Sequence, residues 1–175
     1  MLTATTVYNE ATLSLLAKVS VRKYRLQCYA LSAALLVAGT LLNALSIQSL
    51  WCNLLLIALC LLYLLRPYFY YKKLLKRYLT REREVYSTPR TVKSTFEEDK
   101  ISSHTLNNDS TLTMQYSVLT SLYENKDYLL LMTEGKQGLP IEKTQIEGGN
   151  DAELIAFLKT KAPKMKHRNW GVIAF

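Results

Sequence analysis

Between Cys28 and Leu65 the chain carries no Lys, Arg, Asp or Glu, and its most polar stretch is the short run Ser46–Ile47–Gln48–Ser49. Few environments accept so long an uncharged segment, and a bilayer is the first of them. The first apolar run, Cys28–Ile47, spans roughly 30 Å as a helix at about 1.5 Å per residue, which is the thickness of a hydrocarbon core. The second, Leu50–Leu65, is shorter and lengthens towards Tyr71 through Pro67, Tyr68, Phe69 and Tyr70, with Arg66 reaching back to the surface. Backbone in lipid must satisfy its own hydrogen bonds, so both runs are expected to be helices, closed into a tight hairpin.

Charge sets the expected orientation. The net charge of +8 is not spread evenly. Residues 1–27 hold four basic groups against one acidic, residues 66–90 hold eight against two, and residues 91–175 hold ten against eleven. All the excess positive charge therefore flanks the apolar block, while the link between its halves has none. Positive flanks stay on the cytoplasmic side, which places both termini there. Nucleic acid is excluded as a partner by the same layout, because residues 91–158 carry five basic and eleven acidic groups. Anionic lipid fits it better.

The segment 1–27 reads as an amphipathic cytoplasmic helix running from about Thr6 to Leu26. Asn9 is placed to cap it, and Leu13, Leu16 and Val19 recur on one face. It does not read as a signal peptide, since the charged lead is long and a second apolar run follows at once. Inside the hairpin, Ala30, Ala34 and Ala38 form a small-residue face for close helix packing, with the second span of the same chain as the expected partner and a second protomer as the alternative. Asn43 and Asn53 either bond to each other across the helices or reach headgroup water. Trp51 marks one membrane edge and Tyr70 and Tyr71 the other.

Residues 66–87 form a basic amphipathic juxtamembrane helix. Tyr71, Leu74, Leu75, Tyr78 and Leu79 share one face, and Arg66, Lys72, Lys73, Lys76, Arg77 and Arg81 supply membrane-interface charge. The segment either continues the second span or lies in the interface plane.

From Thr88 the period changes to two. Val92–Phe96, Ile101–Leu106, Leu112–Tyr116, Val118–Tyr123, Tyr128–Met132 and Leu139–Ile141 alternate with polar turns, the pattern of a small antiparallel sheet or barrel. Asn150 or Asp151 then caps a helix carrying Leu154, Ile155, Phe157 and Leu158, which Pro163 stops and which is expected to cover the sheet. The tail 164–175 mixes basic residues with Trp170, Val172, Ile173 and Phe175. Return to the membrane, a strand pairing back onto the sheet, and disorder are all compatible with it.

Sites of chemistry are hard to find. Cys28, Cys52 and Cys60 all lie in the apolar block, an odd number that makes neither a disulfide framework nor a zinc pattern. His104 and His167 stand in no metal-ligand spacing, and the chain has no nucleophile elbow, Walker loop or dinucleotide fingerprint. No catalytic, cofactor or metal residue is therefore assigned, and the chain reads as non-enzymatic.

One resemblance covers residues 70–163. Thr95–Phe96–Glu97–Glu98–Asp99–Lys100–Ile101, then Tyr116–Ser117–Val118–Leu119 leading to Glu124–Asn125–Lys126–Asp127–Tyr128–Leu129, then Leu139–Pro140–Ile141–Glu142–Lys143 and Ala156–Phe157–Leu158 follow one another as in the YcxB-like membrane proteins of bacteria. The resemblance implies an α+β architecture: a two-helix transmembrane hairpin (28–65) followed by a cytoplasmic domain (88–163) like a small pleckstrin-homology barrel with a C-terminal capping helix. It implies no activity. Lipid-binding pleckstrin folds place basic residues around their first hairpin. Here Glu97, Glu98 and Asp99 stand in that place and would repel a phosphate. The resulting expectation is an inner-membrane binding or scaffold module that contacts a protein partner or associates with itself. The alternative is an accessory subunit of a transporter or envelope enzyme acting through its hairpin.

Overall fold

A computed structural model describes residues 2–44, 50–135 and 137–169. The chain forms two compact units, one of Met1–Leu16 with Leu79–Phe175 and one of Ala17–Tyr78. The first unit is therefore discontinuous in sequence.

The N-terminal stretch corrects the reading of a helix from Thr6. Leu2–Tyr8 is a strand, β1. Its inward residues Ala4, Thr6 and Tyr8 are buried and alternate with more open ones, the period-two pattern of a strand. Helix α1 starts only at Glu10 and runs without interruption to Ala44. Asn9 is its cap as expected: its Oδ1 accepts from the Thr12 N–H at 3.0 Å. The amphipathic segment and the first apolar run are thus one helix. Helix α2, Leu50–Val85, likewise joins the second run to the basic segment, passing through Pro67. Of the two readings for 66–87, continuation of the second run as one helix is the one observed up to Val85. The expected link Ser46–Ser49 lies outside the described residues.

After α2 come β2 (Arg90–Phe96), β3 (Lys100–Thr105), β4 (Ser110–Gln115), β5 (Leu119–Glu124), β6 (Tyr128–Thr133), β7 (Gly138–Glu142), β8 (Ile146–Glu147), helix α3 (Asp151–Lys161) and β9 (Lys166–Asn169). Single 3-10 turns at Tyr116–Val118 and Lys143–Gln145 precede β5 and β8. Among the described residues the strands do not close into a barrel. The strands make two sheets, ordered β4-β3-β2-β1-β8 and β7-β6-β5-β9. The 3-10 turn at Tyr116–Val118 ends β4 and starts β5 in the other sheet. β1 fills the slot between β2 and β8, with Leu2 opposite Phe96 and Tyr8 opposite Arg90. In connectivity, α1 and α2 are a long insertion between two adjacent antiparallel strands.

The inner faces of the two sheets share one core of Ala4, Phe96, Ile101, Leu119, Leu122, Leu129, Leu131, Ile141 and neighbours, and Leu154 and Leu158 of α3 belong to the same cluster. β6 is fully buried over Leu129–Leu131 and lies inside its sheet, as its unbroken apolar run predicts. Asn150 caps α3 through a reciprocal box: its Oδ1 accepts from the Glu153 N–H at 2.9 Å, and the Glu153 carboxylate accepts from the Asn150 N–H at 3.4 Å. Pairing back onto the sheet is the outcome for the start of the tail, since β9 lies parallel to β5. Residues 170–175 lie outside the described ones.

Candidate functional site

Within the unit Ala17–Tyr78, α1 and α2 run antiparallel along a seam that can be traced residue by residue. Tyr24 packs on Tyr70 with ring centroids 5.1 Å apart. The Ser32 hydroxyl donates to the Cys60 carbonyl at 3.5 Å, and the Cys60 thiol donates to the Ser32 carbonyl at 3.7 Å. At Gly39 a Cβ would stand 3.2 Å from Leu56 Cδ1, so glycine permits the closest approach there. Asn43 and Asn53 exchange amide hydrogen bonds at 2.9 Å in both directions, the first of the two readings offered for them. The Ala30–Ala34–Ala38 face lies outside this seam, so the second span of the same chain does not cover it, and a second protomer stays as the alternative partner. All three are exposed. At 100° per residue they sit roughly 140° around the helix from Cys28, Ser32 and Gly39. Among the described residues, the partners of Ser32, Asn43 and Asn53 lie across the seam, and that need for polar partners favours this face turning inward.

Away from the seam the pair is covered with uncovered apolar side chains, among them Leu36, Leu41, Leu55, Leu61 and Leu62. Both helices are long and apolar enough to cross a membrane. Trp51 stands 75% exposed in the first turn of α2. Arg66, Lys72, Lys73, Lys76, Arg77 and Arg81 all lie exposed along the later turns, while Tyr71 is half-buried. Lys72 sits 4.6 Å over the ring of Tyr68. Cys28 and Cys60 are buried and Cys52 is exposed, none of them in a disulfide.

In the other unit, two polar clusters join elements distant in sequence. In the first, the Arg90 guanidinium bonds the Glu82 carboxylate at 2.9 Å and lies between aromatic rings, 3.9 Å from the Tyr8 centroid and 5.5 Å from that of Tyr86. It closes the end of β1 and β2 against the last turns of α2. Burial pushes the Tyr8 phenol up to about 12, although the Arg90 charge pulls the other way. Glu82 Oε2 and Arg90 Nε are buried without hydrogen-bond partners among the described residues. Arg90→Ala would take the counter-charge from the Glu82 carboxylate, and about 2 kcal/mol of domain stability should be lost in urea unfolding, less than for a fully buried pair because both side chains keep some contact with water.

In the second cluster, Lys143 Nζ lies 2.8 Å from Glu124 and 2.9 Å from Asp151, and His167 Nε2 lies 2.8 Å from the other oxygen of Glu124. Four elements meet there: β5, the turn after β7, the start of α3, and β9. The hydrogen bond from Lys143 holds the Glu124 carboxyl below the usual range against the opposing effect of burial, with His167 adding to it. Lys143 likewise lowers Asp151. Burial pulls Lys143 down, but its bonds to the two carboxylates outweigh this and its ammonium is held above the ordinary value.

Both histidines are thus paired with carboxylates, His104 with Asp109 at 2.9 Å. Among the described residues no three His, Cys, Asp or Glu side chains come together as a metal site. The acidic turn is partnered as well: Ser102 donates to Glu97 at 2.7 Å, Lys100 stands 3.5 Å from Glu97, and Lys161 stands 3.9 Å from Glu98. Between that turn and α3 lies an open cleft of about 420 Å³ lined by Phe96, Glu97, Glu98, Phe157 and Lys161. Neither the Arg90 nor the Lys143 cluster was anticipated, because their members are scattered over the chain and no local spacing links them.

These features define a class: a two-sheet α+β domain, sealed by a C-terminal helix, whose first two strands are separated in sequence by a pair of long apolar helices. Residues 96–159 match the family model of the YcxB-like proteins. That stretch is similar to the YcxB-like domain. The match begins at the last residue of β2 and ends within α3, leaving β1, most of β2 and both long helices outside it. No curated protein matches the chain.

Proposed function

We propose that this chain is a membrane-anchored, non-enzymatic binding or scaffold module that holds a pleckstrin-like domain against the cytoplasmic face of a bacterial inner membrane. The observation that carries the reading is the division of surfaces. Uncharged exposed leucines cover the middle of the helix pair, and six basic side chains line the turns of α2 that follow. Such a layout favours two crossings with both termini cytoplasmic and basic turns at an anionic leaflet, each charge near the surface contributing about 1 kcal/mol. The two-sheet core capped by α3 supports the pleckstrin-like comparison.

Protease added to the cytoplasmic side of sealed vesicles is expected to digest the chain from Thr88 onward, and protection of that region would refute the orientation. Replacing the two spans by an unrelated hairpin separates this reading from that of an accessory subunit acting through its helices. If the folded domain on a foreign anchor supports the cellular phenotype, the domain carries the function.

A further inference from the structure

Among the described residues the two sheets end in four edges, and three of them are guarded against further pairing. β8 has only two residues. β7 carries Pro140, which has no N–H to offer. β9 presents Lys166 and Arg168. The fourth edge, β4, is six residues long, Ser110–Thr111–Leu112–Thr113–Met114–Gln115, with no charge, proline or glycine. Native edges are rarely left so open unless something covers them.

We infer that β4 is an interaction surface and that its occupant is β4 of a second copy, paired antiparallel across a twofold axis at Leu112. The argument starts from the ladder. The Glu97 N–H donates to the Lys100 carbonyl and the Leu106 N–H to the Thr91 carbonyl, so alternate residues Ser102 and His104 bond towards β2. Ile101, Ser103 and Thr105 then bond towards β4, where they face Met114, Leu112 and Ser110. By the same alternation Thr111 and Thr113 turn their N–H and C=O outward. A twofold at Leu112 sets Thr111 of one copy opposite Thr113 of the other, twice, and joins these outward groups in about four hydrogen bonds. It also sets Asp109 opposite Gln115 and Ser110 opposite Met114, so no like charges meet. Thr–Thr pairs are favourable across strands.

The side chains favour the same register. Leu112 lies on the inner face of its sheet, opposite the buried Ser103, yet is 56% exposed, with no described residue covering that end of the sheet. Pairing at Leu112 brings the two leucines side by side as a non-hydrogen-bonded pair, the closer of the two antiparallel spacings. On the membrane-anchored reading both copies share one bilayer, which raises their effective concentration. This inference rests on the scaffold reading and names the partner.

The test uses the full chain in isolated membranes, with Cys28, Cys52 and Cys60 replaced by Ala. Leu112→Cys should give a disulfide-linked dimer under mild oxidation, because a Cα separation near 4.5 Å suits a disulfide. Thr111→Cys alone should not, whereas Thr111→Cys mixed with Thr113→Cys should. Adding Thr113→Pro to Leu112→Cys removes an outward N–H that β3 does not use and should abolish the dimer. If that variant fails to fold, the Thr111→Lys, Thr113→Lys pair sets Lys opposite Lys and should do the same. Absence of the Leu112→Cys dimer, equal crosslinking at positions 111 and 112, or capture of a different protein would overturn the inference. Protease accessibility, read on the same membranes, reports separately on the orientation.

Discussion

A fragment beginning at Leu79 and lacking the first sixteen residues should show no cooperative unfolding, and adding a peptide of residues 1–16 should restore it. β1 supplies seven register pairs to β2 and two to β8, and its Ala4 is wholly buried in the shared core. Its loss bares the facing edges of two strands. At about 1 kcal/mol net for each backbone hydrogen bond, the deficit is of the order of the whole stability of a small domain, about 5–15 kcal/mol. Circular dichroism and amide dispersion with and without the peptide decide the matter, and a fragment that folds alone would show that β1 is dispensable. A substitution inside β1 gives a graded version of the same test. Ala4→Glu sets a charge with no partner in the apolar core and should unfold the unit, while Thr5→Glu, on the opposite face, should be tolerated.

The same strand shows where sequence reading stops. From Thr91 to Glu142 most pairing is local: β2, β3 and β4 pair in succession, as do β5, β6 and β7, across turns rich in Asn, Asp, Glu or Gly, so period and turn chemistry suffice to place these strands, and the cap and apolar spacing place α3. β1 carries a period-two pattern too, yet its partner lies more than eighty residues on, beyond both helices. No local signal ties Tyr8 to Arg90, and the helical spacing of Leu13, Leu16 and Val19 drew the boundary back to Thr6 although the cap at Asn9 was legible. The division into two sheets was hidden for a related reason. Alternation says which side chains share a face, but the turn at Tyr116–Val118 that moves the chain from one sheet to the other has no pattern of its own. In the helix pair, alanine spacing suggested a seam, whereas hydrogen-bonding needs chose another face. Small residues permit close approach on any side; Ser32, Asn43 and Asn53 require it on one.

Lys143→Met should destabilise the domain by about 2–3 kcal/mol near neutral pH, and this deficit should shrink on mild acidification. Lys143 is 16% exposed and faces two carboxylates, so its removal leaves Glu124 and Asp151 partly buried and without their main counter-charge. The cost falls short of that for a fully enclosed pair because Asp151 keeps access to water. In the native chain both carboxyls have folded pKa values below their ordinary ones, so their contribution is complete above the ordinary carboxylate range and is lost as pH falls through the folded values. Acidification below about pH 4 should therefore weaken the native domain. The raised ammonium of Lys143 adds stability that is present at neutral pH and lost only above its ordinary value of 10.5. In the Lys143→Met variant, burial is left to act on Glu124 with only His167 beside it, and protonation relieves the buried charge, so mild acidification should narrow the gap between variant and native chain. Urea midpoints measured between pH 4 and 8 test this directly, and a gap that stays constant with pH would mean that Lys143 contributes packing rather than charge. Because the cluster also fixes β9 to β5 through His167 and Glu124, faster amide exchange along Lys166–Asn169 should accompany the loss.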